Sequence, residues 1–111
     1  MIRGLLLKNG KLLETSLDGK LESYYERLDC EIIDIVSRNI GGKRFAIVCD
    51  DCGIYAENSP ISMIDRDLLV PMLVGALFIC NLNGDELDSL SDNDIQLIRS
   101  QFKHQVIYGD I

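Results

Sequence analysis

The fold is decided by residues 74–102, whose sequence is VGALFICNLNGDELDSLSDNDIQLIRSQF. The stretch begins with an uncharged run, residues 74–80, and a short apolar run bounded by turn residues is typical of a strand buried on both faces. Asn83-Gly84 then indicates a turn. Beyond it, Ile95, Ile98 and Phe102 lie on one side of an amphipathic helix. We therefore expect this strand and this helix to share a hydrophobic core.

The start of that helix is also marked in the sequence. Ser91 is placed to cap it by accepting a hydrogen bond from a backbone N–H, and Asp94 lies at the third helical position, where a carboxylate favours the helix dipole. Leu90 and Ile95 have the spacing of a hydrophobic staple across the cap. The pattern predicts that the helix begins directly after Ser91.

The N-terminal third predicts a hairpin followed by a helix. Asn9-Gly10 separates two apolar strands, and Asn-Gly is the strongest short hairpin signal because both residues tolerate positive φ. Apolar side chains then recur at helical spacing from Leu21 to Leu28. Residues 57–67 contain the chain breaker Asn58-Ser59-Pro60 and receive no assignment. Residues 68–72 fit either a helical turn or the approach to the next strand.

The order of elements, β-β-α-β-β-(β)-β-α with the bracketed strand at residues 54–56, predicts an α+β fold. We expect residues 1–111 to form a single domain with a mainly antiparallel sheet and two principal helices, near Lys20–Asp29 and Asp92–Lys103. A β-grasp-like arrangement is the closest named fold for this order. The expected core includes these residues: Val48, Leu77, Ile79, Ile95 and Phe102.

Composition favours a soluble protein that meets other proteins. The chain has 47% hydrophobic and 26% charged residues, which is ordinary for a globular domain. Its net charge of −7 disfavours nucleic acid and anionic membrane surfaces. The acidity fits a protein that it merely keeps soluble, or one that meets a basic protein partner. Neither a signal peptide nor a membrane span is visible, so we expect a cytoplasmic protein with reduced cysteines. The oligomeric state is left open.

The most conspicuous chemical motif is Cys49-Asp50-Asp51-Cys52-Gly53. A CxxCG turn can wrap two thiolates around zinc, and Cys30 and Cys80 would complete four ligands by number. Their spacing is poor, however, and a redox motif normally lies at a helix start rather than at a hairpin turn. We therefore expect a β-turn flanked by ordinary cysteines, with zinc binding and thiol chemistry as alternatives.

Other residues give weaker signals. His104 is the only histidine and is expected to be a solvated residue near the end of a helix. The acidic stretch after the apolar strand lacks the glycine position of a calcium loop, although calcium remains an alternative. Its carboxylates are the candidate surface for a basic partner: Asp85, Glu86, Asp88, Asp92 and Asp94. Neither a catalytic residue nor a cofactor is assigned.

Several short motifs resemble those of one protein family. They are Val48-Cys49-Asp50, Gly53, Gly75-Ala76 and the helix start from Ser89 to Ile95. Together they resemble the domain-of-unknown-function family numbered 3846, small proteins of Gram-positive bacteria, their phages and conjugative elements. The resemblance implies an accessory protein of a mobile genetic element, and it implies no catalytic residue.

The chain departs from that family at two places. Cys30-Glu31 stands where the family often has two glycines, and Cys52 stands where the family usually has a polar residue. The second departure makes a family-wide zinc or redox role for Cys49 and Cys52 less plausible.

Two function hypotheses follow. The first is a non-catalytic module that binds a protein partner, because acid–base pairs, nucleophile constellations and cofactor loops are not legible in the sequence. The second is an enzyme, or a protein that binds a small ligand or a metal, with a site near the Cys49/Cys52 turn and Tyr55. A deep pocket with converging polar groups would favour the second hypothesis.

Overall fold

A computed structural model of the protein describes residues 1–50 and 60–111. The predicted turn and strand at residues 51–56, including Cys52, Gly53 and Tyr55, lie outside the described residues. In chain order, the elements are β1 (Ile2–Lys8), β2 (Lys11–Leu17), α1 (Leu21–Leu28), β3 (Ile33–Ile40), β4 (Lys43–Asp50), β5 (Ile61–Asp65), β6 (Pro71–Val74), β7 (Leu77–Asn83), β8 (Glu86–Asp88), α2 (Asp92–Ser100), β9 (Phe102–Lys103) and β10 (Val106–Gly109). The predicted α+β class, with two helices and a mainly antiparallel sheet, is confirmed.

The larger sheet is antiparallel and has the strand order β2-β1-β7-β4-β3, with β8 paired to the end of β7. Two-residue turns connect β1 to β2 and β3 to β4. Asn9, Gly10, Gly41 and Gly42 all have positive φ there, from 54° to 87°. Such turns match the twist of the strands they join. The predicted first hairpin is therefore confirmed.

A smaller sheet, with the order β6-β5-β10-β9, was not predicted. Its strands β5 and β10 run parallel, and the other pairs are antiparallel. The two sheets meet where Asn39 and Asp110 exchange backbone hydrogen bonds of 2.7 and 2.9 Å. The fold is thus a large sheet with a second, short sheet attached at one corner.

Both faces of the larger sheet are covered. On one face, α1 packs through Tyr24 and Leu28 against Val48 and Phe78. On the other face, the smaller sheet and α2 enclose a second cluster, which contains Leu5, Leu7, Phe45, Ile47, Met63, Ile98 and Ile107. Because successive side chains of a strand point to opposite faces, β1, β4 and β7 contribute to both clusters.

The strand β7 is buried on both faces, as predicted. Leu77, Phe78, Ile79 and Cys80 have no exposed surface. The predicted start at Val74 was wrong, because Val74 ends β6 and Gly75, with φ 77°, turns the chain between the two strands. Glycine adopts this conformation without the penalty that a Cβ atom would bring.

The predicted core is confirmed at four of its five positions. Val48, Leu77, Ile79 and Ile95 are buried, whereas Phe102 is half-buried and packs against the edge of the cluster beneath α2. Phe102 belongs to β9 rather than to α2. The helix therefore ends at Ser100, three residues before the predicted end at Lys103, since the chain turns there to pair with β10.

The predicted cap of α2 is confirmed. The Ser91 hydroxyl accepts a hydrogen bond of 3.1 Å from the Asp94 backbone, and the Asp94 carboxylate accepts one of 3.0 Å from the Ser91 backbone. This reciprocal pair is a capping box. Leu90 and Ile95 lie in the same buried cluster, as a hydrophobic staple requires.

Among the described residues, neither helix is long and apolar enough to cross a membrane.

We predict that Ser91→Ala lowers the free energy of unfolding by about 1 kcal/mol, because the first turn of α2 loses a capping acceptor. Urea denaturation followed by circular dichroism measures the change. Ser16→Ala is the matched control, because Ser16 is an exposed strand residue outside any cap. Equal midpoints for the two variants would show that the cap does not stabilise the fold.

Candidate functional site

The Asp94 carboxylate connects three elements at the start of α2. One oxygen accepts a hydrogen bond of 2.6 Å from Lys43 Nζ, where β4 begins. The other accepts hydrogen bonds from the Asn81 side-chain amide of β7, at 2.7 Å, and from the Ser91 backbone. Asn81 also donates to the Ser89 carbonyl oxygen at 3.1 Å. The helix start is therefore fixed to the middle of the larger sheet.

The electrostatics of Asp94 follow from these partners. Partial burial opposes ionisation of the carboxyl, but the hydrogen bonds from Lys43, Ser91 and Asn81 outweigh it and hold the pKa of Asp94 well below its ordinary value. The residue is 6% exposed, so the charge is sequestered from solvent. A carboxylate whose partners are all supplied by the protein has little capacity left to bind a ligand.

Arg3 and Ser89 also connect the start of α2 to the larger sheet. Arg3 of β1 forms ion pairs with Asp92 at 2.8 Å and with Glu14 at 3.1 Å. The Arg3 backbone amide also donates to the Ser89 hydroxyl at 2.9 Å. The conspicuous helix-start motif of the sequence therefore has a structural role, since it attaches α2 to β1, β4 and β7.

The five acidic candidates do not form one uniform surface. Asp94 is buried, and Asp92 is paired with Arg3. Asp88 accepts a hydrogen bond from the Ser89 backbone. Asp85 and Glu86 lie at the β7–β8 turn, and they are exposed together with Asp88 and Asp92. The carboxylates available to a partner are therefore those of the turn and the exposed edge of α2.

The cysteines described by the structure are separated by the sheet. Cys49 lies in the cluster beneath α2, whereas Cys80 lies in the cluster beneath α1, and Cys30 packs against that second cluster. Cys49 and Cys80 therefore cannot ligate the same metal ion. Within residues 1–50 and 60–111, the side chains of cysteine, histidine, aspartate and glutamate do not gather into a group that could hold a metal.

A pocket of about 220 Å³ lies beside Cys49, between β3, β4 and β6. Asp34, Arg38 and Asp50 contribute its polar groups, and Met72 to Val74 contribute apolar ones. The Cys49 thiol donates to the Asp34 carbonyl oxygen at 3.6 Å. The volume is below the range of about 300–1,000 Å³ that is usual for ligand sites.

An exposed apolar loop connects β5 to β6 and was not singled out in the sequence. It consists of residues 68–70, and Leu68, Leu69 and Val70 are 72%, 69% and 47% exposed. We call it the apolar loop. Three adjacent apolar side chains that avoid the core are a feature of interaction surfaces.

The apolar loop is held in place by Asp65, the last residue of β5. The buried Asp65 carboxylate accepts hydrogen bonds of 2.9 Å from the backbones of Asp67 and Leu68. The Asp65 backbone bonds to Leu69 and Val70 at 2.8 and 2.9 Å. Leu69 has φ 57°, a left-handed conformation that is unfavourable for a bulky side chain. Such strain persists only where the surrounding structure imposes it.

Comparison with known proteins places the chain in a family. The architecture is an α+β domain in which the recognisable motif, at the start of α2, is structural. The chain belongs to the family described as Domain of unknown function (DUF3846), whose model matches residues 2–103. The match extends from β1 to β9. No curated protein and no solved structure matches the chain.

We predict that Asp94→Asn lowers the free energy of unfolding by about 2 kcal/mol at pH 7, because charge-assisted hydrogen bonds are lost. Since the pKa of Asp94 is depressed in the folded state, its contribution is fully present above the ordinary value of 3.8 and is lost as the pH falls below it. The difference between the variant and the wild type should therefore shrink below about pH 4.

Denaturation with urea between pH 3 and pH 7 measures this difference. The matched control is Asp92→Asn, in the same helical turn, whose side chain is 84% exposed. Exposed ion pairs contribute little to stability, so the control should have a small effect at every pH. A pH-independent difference for Asp94→Asn would contradict the assignment.

We also predict that Cys80 resists alkylation in the folded protein. Burial raises the pKa of this thiol to about 12, so almost no reactive thiolate exists at pH 8. Mass spectrometry after iodoacetamide treatment, with and without denaturant, should detect modified Cys80 only when the protein is unfolded. Rapid modification of the native protein at Cys80 would contradict this.

Proposed function

We propose that this protein is a non-catalytic module that binds a protein partner through the apolar loop. The observation that carries the proposal is the exposure of Leu68, Leu69 and Val70 on a loop that Asp65 holds through hydrogen bonds. Burying one such side chain in a partner is worth roughly 1.5–3 kcal/mol. A loop that already has its bound conformation loses little conformational entropy on binding.

The charge of the molecule supports a basic partner. A net charge of −7 attracts a basic protein over a longer range than apolar contacts do, and it raises the association rate. The exposed carboxylates of Asp85, Glu86 and Asp88 contribute to this field. We therefore propose a basic protein partner with an apolar pocket that accepts Leu69.

A wider biological setting is also part of the proposal. The short motifs from Val48 to Ile95 resemble those of proteins encoded by phages and conjugative elements. We propose that this chain is an accessory protein of such a mobile genetic element. Its cytoplasmic location is proposed on the same basis. The alternative, a ligand site near the Cys49/Cys52 turn, has weaker support because the pocket beside Cys49 is small.

The first test is site-specific photo-crosslinking in host cells. A photoreactive residue at position 69 should form a discrete adduct with one protein. The same residue at position 13 is the control, because Leu13 is comparably exposed, at 58%, but lies on β2 of the other sheet. Equal adducts at both positions, or none at position 69, would count against the apolar loop.

The second test measures binding of the purified crosslinked protein. Leu69→Asn should weaken binding about tenfold, as is usual for a central apolar contact. The folded state should not be destabilised, because asparagine tolerates positive φ better than leucine does. Leu13→Asn should leave affinity unchanged. Identical affinities for the wild type and Leu69→Asn would refute the docking site.

The contribution of charge is tested separately. Replacing Asp85, Glu86 and Asp88 together by lysine should slow association, and added salt should reduce the difference from the wild type. Dissociation should change little, because these carboxylates act mainly before contact. A faster association would show that the partner is acidic and would overturn this part of the proposal.

A further inference from the structure

Polar side chains converge on the outer face of the smaller sheet. Ile107 and Phe102 are opposite one another in β10 and β9 and face the core. Because side chains alternate along a strand, Tyr108 and Lys103 face outward. Gln101 lies opposite Tyr108, whose backbone amide donates to the Gln101 carbonyl oxygen at 2.9 Å.

Arg66 completes this face from the neighbouring strand. It directly follows β5, and its backbone amide donates to the Gly109 carbonyl oxygen at 2.8 Å, which fixes it beside the end of β10. Arg66, Gln101, Lys103, His104 and Tyr108 together line an open cleft of about 460 Å³. We call it the basic cleft.

The charge of the basic cleft is opposite to that of the molecule. Arg66 and Lys103 are cationic, and a carboxylate is not among the lining side chains. Neither cation forms an ion pair within the described part of the chain. Screening limits electrostatic interactions to about 8 Å at physiological salt, so distant carboxylates that contribute to the net charge act only weakly on a ligand in the cleft.

The turn that carries His104 adds a second observation. His104 and Gln105 form the two-residue turn between β9 and β10, with φ 53° and 71°. The other two-residue turns of the described chain place a glycine at positive φ: Gly10, Gly41 and Gly42, and Gly84. Here two side chains are retained despite the cost of about 1 kcal/mol or more for each. Strain of this kind is concentrated at functional sites.

We propose that the basic cleft binds a small phosphate monoester. The Arg66 guanidinium can donate two parallel hydrogen bonds to phosphate oxygens, and Lys103 supplies a second cation. The His104 ring and the Gln101 amide add further hydrogen-bond donors. The half-buried Tyr108 ring offers a flat surface for the organic part of the ligand. The proposal does not rest on partner docking, since Leu68, Leu69 and Val70 do not line the cleft.

The test uses adenosine 5′-monophosphate, adenosine and inorganic phosphate as probes, with binding measured by NMR titration of the backbone amides. The monophosphate should bind at least tenfold more tightly than adenosine. Inorganic phosphate should shift the same amides, around residues 66 and 101–108, with lower affinity. Equal affinity for the monophosphate and adenosine, or shifts confined to other residues, would refute the proposal.

Charge-matched variants test the assigned residues. Arg66→Gln should weaken binding of the monophosphate about tenfold and Lys103→Gln about fivefold, as expected for charge-assisted hydrogen bonds. Lys20→Gln removes the same charge from an exposed position before α1, across the larger sheet, and should have no effect. A loss of affinity in Lys20→Gln equal to that in Lys103→Gln would mean that only net charge matters.

Two further measurements separate binding from folding and identify the ligand class. His104→Asn should weaken binding without lowering the denaturation midpoint, because asparagine tolerates positive φ. An unchanged affinity would show that His104 does not contact the ligand and that the strained turn has no role in binding. A single-stranded oligodeoxynucleotide should bind no more tightly, per phosphate, than the monophosphate does. Clearly tighter binding would replace the small-ligand proposal with a nucleic-acid one.

Discussion

The burial of β7 on both faces is the constraint from which the other features follow. A strand with Leu77, Phe78, Ile79 and Cys80 in sequence cannot leave either face of its sheet in water. The chain therefore needs a cover on each side. The helix α1 supplies one cover, and the smaller sheet together with α2 supplies the other. Even β1 is shaped by this strand, because a Cβ atom at Gly4 would lie 2.5 Å from the Ile79 carbonyl oxygen.

Features that depend on neighbouring residues could be predicted from the sequence. The Asn9-Gly10 hairpin, the capping box at Ser91 and the two-faced strand each have a signal contained within a few residues. The smaller sheet has no such signal. Its strands β5 and β10 are far apart in sequence, and register shifts interrupt the pairing of β5 with β6 near Met63. Long-range pairing of short, irregular strands leaves no periodic pattern to detect.

For the candidate sites, too, the sequence did not reveal contacts between residues that are distant along the chain. The sequence indicated Asp94 as part of an acidic surface because composition treats every carboxylate alike. In the structure, Lys43 and Asn81 come from β4 and β7 to enclose it, and neither contact has a sequence signature. Conversely, none of the residues Arg66, Lys103 and Tyr108 indicates a site in the sequence when it is considered alone. They form a cleft only because β5, β9 and β10 are neighbours in a sheet that the sequence did not reveal.

The motif at the start of α2 is occupied in holding the fold together. Ser91 and Asp94 bond to one another, to Asn81 and to Lys43, so their hydrogen-bonding capacity is used inside the fold. In this chain the motif therefore supports the architecture rather than a reaction. Exposed side chains that can still bind a partner or a ligand lie elsewhere, in the apolar loop and the basic cleft. Each of them contains a residue other than glycine at positive φ, which is Leu69 in the apolar loop and His104 in the basic cleft. Asn9 and Asp29 also have positive φ, but asparagine and aspartate adopt it readily in turns and caps, so the cost is largest at Leu69.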